Sequence, residues 1–136
     1  MNYGVIDVGS NTVRLCVYDV LCPEKRKFKT IMNRKIMAGL AAYIVDGAFS
    51  DEGIAEAILA VKKCLKRASY LSPDRVDVFA TAVLRNVSNS AQAIAAIEQG
   101  AGCSISLLSN SDEAHLGFVG ASSRGALDNG ALIDIG

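Results

Sequence analysis

The chain opens on a short apolar run from Tyr3 to Val8 that ends at Gly9, the pattern of a buried strand. From Thr12 to Val20 the positions alternate, with Val13, Leu15 and Val17 on one face and Arg14 on the other. Period two sends successive side chains to opposite sides of a sheet, so this is a half-buried strand. Gly9-Ser10-Asn11 between the two runs is a tight turn, and the strands are predicted to pair as a hairpin. Cys22-Pro23-Glu24-Lys25 makes a second turn, followed by a third strand from Arg26 to about Met37. Residues 38–49 are broken by Gly39 and Gly47 and read as a loop.

The period then changes. Ser50 offers a capping hydroxyl, and Asp51 and Glu52 follow at the positive end of a helix dipole. Ile54, Ala57, Ile58, Val61 and Leu65 keep the three-four spacing of one helix face. The helix should end before Ser72-Pro73, because the residue before a proline disfavours helical geometry. Val76 to Ala80 reads as a strand. Ser88 or Asn89 can cap an alanine-rich helix that runs to about Gln99 and stops at Gly100. A strand from Ser104 to Leu108, a helix from Ser109-Asn110-Ser111-Asp112-Glu113 to about Ser122, a loop at 125–130 and a strand from Ala131 to Ile135 complete the reading. The order is β-β-β-α-β-α-β-α-β, which implies an α/β fold: a mixed sheet with three leading antiparallel strands and helices on its faces.

Composition narrows the class. At 136 residues, 51% apolar and 21% charged, the chain suits one globular domain with its own core. Lysine plus arginine and aspartate plus glutamate are equal at 14 each. With no net field to attract a polyanion, no nucleic acid partner is expected, and any anion site must be local. No window holds the ~18 apolar residues of a membrane span, and no basic-then-apolar leader opens the chain, so a cytoplasmic protein is expected. Cys16, Cys22, Cys64 and Cys103 form no C-x-x-C pair, and the lone His115 stands far from them, which argues against zinc and for reduced thiols.

One signal cuts across these elements. Asp7-Val8-Gly9 recurs as Asp134-Ile135-Gly136, 134 − 7 = 127 residues later. That period is too long for a solenoid. It suits two similar lobes, each opening with a strand that ends at an acid and a glycine: a first lobe over 1–130, and the first strand of a second over 131–136. A carboxylate inside an apolar strand is costly unless something satisfies it, and a metal ion would. Gly9 lets a phosphate approach the backbone, Ser10 and Asn11 add a hydroxyl and an amide, and successive turn N–H groups can form an anion nest. Alone, the pentapeptide reads as an ordinary hairpin turn. Its echo makes a shared pocket for phosphate and metal the better account.

The segments VIDVGSNTVRL, ATAVLRNVSN, SNSDEAHLGFVGA and ALIDIG, in that order across almost the whole chain, resemble the exopolyphosphatase and guanosine pentaphosphate phosphohydrolase family. That family belongs to the actin-like, sugar-kinase and Hsp70-like ATPase superfamily. The resemblance implies a ribonuclease H-like lobe facing a second lobe across a phosphate-bearing cleft. It implies inorganic polyphosphate or guanosine pentaphosphate as substrate and Mg²⁺ as cofactor. By the same resemblance Arg85 contacts substrate phosphate and Glu113 is the base that deprotonates water. Gly9, Ser10, Asn11 and Gly136 border the phosphate, and Asp7 and Asp134 hold the metal. A lone lobe is expected to be nearly inactive, and apolar surface left uncovered on it could pair two copies into a homodimer.

The residues themselves allow other readings. Arg85 could be a surface arginine, Glu113 an acid that complements a helix dipole, and Asp112 could take the role given to Glu113. Arg14 and Arg34 could help hold an anionic chain. The family commonly has Ser-Gly-x-Glu-Glu-Ala-Arg where this chain has Ser109-Asn110-Ser111-Asp112-Glu113-Ala114-His115, which bears on substrate preference. Two further functions fit the same superfamily: a regulatory protein that binds polyphosphate or nucleotide without cutting it, and a kinase or ATPase.

Overall fold

The hairpin forms as the alternation requires. Strand β1 (Asn2–Val8) pairs antiparallel with β2 (Thr12–Cys22), and β2 pairs antiparallel with β3 (Lys27–Met37). The structure is a computed structural model that describes residues 1–25 and 27–122. The predicted strand 131–135, with Asp134 and Gly136, lies outside the described residues, as does the proposed boundary at 130/131.

Residues 38–49, expected to be a loop, carry a 3₁₀ turn (Leu40–Tyr43) and a small hairpin of β4 (Ile44–Val45) and β5 (Ala48–Phe49). Asp46 and Gly47 turn it with positive φ, at 49° and 76°. Helix α1 (Asp51–Ser69) follows, with the Ser50 hydroxyl accepting from the Gly53 N–H at 3.2 Å. Then come β6 (Arg75–Ala80), the short helix α2 (Ala82–Arg85), α3 (Ser90–Ala101), β7 (Ile105–Leu107) and α4 (Asn110–Ser122).

The main sheet has the order β3-β2-β1-β6-β7, with β1, β6 and β7 mutually parallel. Helices α1 and α3 pack against each other and cover one face. Ile6, Val8, Val13, Leu15 and Val17 are wholly buried there, beside Val61, Cys64 and Ile97 of the helices. Period two then puts Tyr3, Val5, Asp7, Arg14 and Cys16 on the opposite face. No described helix is long and apolar enough to cross a membrane.

Two predicted helix signals act differently from expectation. Asn89 sits at the N-cap position of α3, but its side chain makes no capping bond. Instead Oδ1 accepts from the Phe49 N–H at 2.8 Å and Nδ2 donates to the Phe49 carbonyl at 2.9 Å, clamping β5 to the helix. Gly100 does not stop α3, which runs on to Ala101 and ends at Gly102 with φ 71°. A Cβ at Gly100 would collide with Ile58 of α1, so this glycine serves close helix packing.

Gly53 does the same under the β4–β5 hairpin. A Cβ there would sit 2.6 Å from Tyr43 Cβ and 2.9 Å from Phe49 Cζ. Gly53→Ala would gain up to about 1 kcal/mol of helix propensity. Overpacking against atoms fixed so near the backbone costs roughly 1–3 kcal/mol, which outweighs that gain and makes the substitution destabilising. The expected result is a lower urea midpoint with an unchanged slope; a midpoint raised by the substitution would show that the hairpin lifts away freely.

Candidate functional site

Parallel strands point their carboxyl ends the same way, and in open α/β sheets ligands bind at that edge. Here the edge is set by register: Val8 pairs with Ala80, and Ala80 with Leu107. The three segments that follow are therefore neighbours. They are the turn Gly9-Ser10-Asn11 after β1, helix α2 after β6, and the start of α4 after β7. Each carries residues singled out from the sequence.

Arg85 closes α2, and its side chain is mostly buried, at 18% exposure. Its Nη1 donates to the Leu108 carbonyl at 2.7 Å and to Glu113 Oε2 at 3.0 Å. Arginine and glutamate, 28 residues apart in sequence, thus form one unit across two connections. The Leu108 N–H donates to the Ala80 carbonyl at 2.9 Å, which extends the strand ladder to the residue that anchors Arg85. Arg85 Nε is buried with no acceptor. A buried donor left unpaired costs on the order of 1–3 kcal/mol.

The two acids at the start of α4 have different surroundings. Ser109 Oγ accepts from the Asp112 N–H at 3.0 Å and donates to Asp112 Oδ2 at 2.6 Å. The serine hydroxyl thus caps the helix at its N3 amide, and the acid three residues on is tied to that same hydroxyl. Asp112 is thus engaged in starting the helix, whereas Glu113 reaches Arg85 and remains 38% exposed.

Asp7 lies one residue before the end of β1, directly across from Arg14 on β2. It is exposed to solvent while protein crowds its carboxyl group. Burial pushes its pKa above the ordinary aspartate value, the charge of Glu113 pushes it further, and Arg14 opposes them. Asp7, Glu113 and Arg14 therefore share one electrostatic neighbourhood. Arg14 Nε is also buried without an acceptor.

The turn is braced from behind. The Ser10 carbonyl accepts from the Ala41 N–H at 2.9 Å, and the Asn11 carbonyl accepts from Ala38 and Gly39 at 3.1 and 2.9 Å. A Cβ on Gly9 would meet the Thr12 carbonyl at 3.1 Å. The Gly9 N–H donates to that carbonyl at 3.0 Å, so this amide is engaged inside the turn rather than presented as part of a nest.

Arg85, Glu113, Asp7 and the turn 9–11 are thus gathered at one edge, with Arg14 beside them. Arg34 is not: it pairs with the buried Leu15 and shares that residue's helix-side face. Asp134 and Gly136 lie outside the described residues. The described residues hold no group of three or more His, Cys, Asp or Glu suited to a metal. Sequence reasoning missed the Leu108 carbonyl, since a backbone acceptor carries no residue-type signal.

A family model described as the Ppx/GppA phosphatase family matches residues 22–136. Among solved structures the chain is similar to a Ppx/GppA phosphatase from Aquifex aeolicus, at 20% identity and a TM-score of 0.80, covering 91% of this chain and 41% of that one. It is similar to an exopolyphosphatase from Cytophaga hutchinsonii, at 26% identity and a TM-score of 0.81, covering 90% and 39%. The ethanolamine utilization protein EutJ from Carboxydothermus hydrogenoformans matches at 18% identity and a TM-score of 0.53, covering 87% and 40%. The Aquifex and EutJ likenesses speak for the fold alone, an α/β lobe of the actin-like ATPase type. The chain spans about two fifths of the length of these relatives.

Proposed function

This chain belongs to the Ppx/GppA phosphatase family, and from that premise we propose that it forms one lobe of a phosphoanhydride hydrolase. The enzyme releases terminal phosphate from inorganic polyphosphate or guanosine pentaphosphate. The observation that carries this reading is the junction of Arg85 with Glu113 at the carboxyl edge of the sheet, beside Asp7.

In this reading Glu113 accepts the proton of a water that attacks the end phosphorus in line with the leaving oxygen. A base of this kind must be ionised and within hydrogen-bond reach of its water, and Glu113 is partly open to solvent. Arg85 has two tasks. Nη1 orients Glu113, and the guanidinium supplies a fixed positive charge beside the reacting phosphate. Arg14 adds a second positive charge directly across from Asp7. Ser10 and Asn11 border the phosphate on the braced turn. Positioning and fixed charge supply most of the rate in phosphoryl transfer.

Mg²⁺ fits the residues at Asp7. The charged carboxylate is disfavoured there by burial and by Glu113, and a cation reverses both penalties. Magnesium ordinarily takes one or two carboxylates and completes its shell with waters and substrate phosphates. Asp7 would hold it together with Asp134, and when bound it would offset charge on the phosphate oxygens.

The test is orthophosphate release in the presence of Mg²⁺, from polyphosphate and from guanosine pentaphosphate in separate assays. It compares the 136-residue chain with a chain extended to the length of its relatives. Release by the extended chain and little by the short one is expected, because the remaining length would supply the opposite wall of the cleft. Binding without release would move the reading to a regulatory protein. ATP consumption that depends on a second substrate would move it to a kinase.

A further inference from the structure

We propose that Lys35 is a distal anion contact, holding phosphates of a linear polyanion beyond the one that reacts at Asp7 and Arg85. The inference rests on the phosphatase reading and adds to it a path for the rest of the substrate. The path comes from register. Asp7 on β1 pairs with Arg14 on β2, and Arg14 pairs with Lys35 on β3. Residues directly opposite in neighbouring strands share a face, so the three side chains stand in one line on the face of the sheet opposite α1 and α3. Neighbouring strands lie about 4.8 Å apart, which puts Lys35 roughly 10 Å from Asp7 along that line.

The charges along the row run minus, plus, plus, with Arg14 and then Lys35 continuing outward from the carboxylate. Arg14 is half-buried and Lys35 exposed, and neither has an ion pair among the described residues. A chain of phosphates whose end sits at Asp7 and Arg85 therefore meets two available cations in sequence as it crosses β2 and β3. Lysine suits the outer place: its flexible stem and compact charge follow a mobile chain, and no fixed bidentate geometry is needed there. A single orthophosphate at the reaction site would not extend to it.

The strand supplies its own control. Arg34 is the adjacent residue with the same charge, but it pairs with Leu15 and faces the helix side. A lobe expected to hydrolyse little leaves polyphosphate intact during a titration, so binding can be measured on the 136-residue chain at fixed low salt. The probes are inorganic polyphosphate and orthophosphate. Lys35→Ala should weaken polyphosphate binding about three- to fivefold, the range of an exposed ion pair, and leave orthophosphate unchanged. Lys35→Glu should weaken it further and Lys35→Arg should restore it, while Arg34→Ala should match the parent. The difference should vanish at high salt, where exposed charges are screened. Equal affinity in Lys35→Ala and the parent overturns the proposal, as does an equal loss in Arg34→Ala. Failure of the unaltered chain to bind polyphosphate overturns it too. The hydrolysis reading is judged separately by the release assay on the extended chain.

Discussion

Glu113→Gln is expected to slow orthophosphate release by about 10²–10⁴-fold in a chain extended to the length of its relatives, with substrate affinity nearly unchanged. Glutamine keeps the size of the side chain, and its carbonyl oxygen can still accept from Arg85 Nη1, as Glu113 Oε2 does at 3.0 Å. Arg85 also keeps its bond to the Leu108 carbonyl, so the arginine should not move. What disappears is the capacity to take a proton from water. Asp112→Asn is the matched comparison, because the two acids are adjacent and begin the same helix. Asparagine at 112 can still accept from the Ser109 hydroxyl and loses only the charge at the helix start, so Asp112→Asn should lower stability by about 0.3–1 kcal/mol at most and spare turnover. Single-turnover release and thermal melting of both variants separate chemistry from folding. Activity retained by Glu113→Gln and lost in Asp112→Asn would transfer the base to the neighbouring residue.

The sequence carried the parts of this molecule in which hydrophobic period and local chemistry agree. Val13, Leu15 and Val17 alternate, and they are buried on one face of a paired strand. Ser50 reads as a cap and acts as one. The parts that were not legible depend on tertiary partners. Asn89 has the composition of a cap, but a bidentate bond to the Phe49 backbone draws its side chain away. Nothing at position 89 announces a strand 40 residues earlier. Gly100 looks like a helix stop and is a packing site, because the reason for its size is Ile58 on another helix. The strands β4 and β5 are two residues each, too short for period two to register.

The site divides along the same line. Asp7, Arg85 and Glu113 stood out by residue type and by resemblance. Their meeting required the parallel register of β1, β6 and β7, which no local pattern encodes. Arg34 and Lys35 show the limit most plainly. The pair is indistinguishable by charge, and only pairing with Leu15 and Arg14 sends one to the helix side and the other to the side of Asp7.

Asp7→Asn should make the metal-free protein more stable at pH 7 and slow turnover in the extended chain. Burial and the Glu113 charge both raise the pKa of Asp7, and the opposing pull of Arg14 does not cancel them. The folded chain therefore holds this proton more tightly than the unfolded chain does. Ionisation of Asp7 then costs folding free energy, beginning as pH rises through the unfolded value near ~3.9 and complete above the raised folded value. Asparagine removes that cost. Parent and variant should melt alike under acid conditions below the unfolded value, and the variant should melt higher at neutral pH. Mg²⁺ should reverse the order, because a ligand that binds only the folded form stabilises it, and only the parent retains the carboxylate that receives it. In the extended chain the same substitution should cost about 10²-fold or more in turnover, because the proposed Mg²⁺ would lose a carboxylate that holds it directly or through water. A variant that melts lower than the parent at pH 7 without Mg²⁺ would mean that Asp7 is held by stabilising bonds in the fold. It would then no longer be a carboxylate kept under electrostatic pressure for a cation.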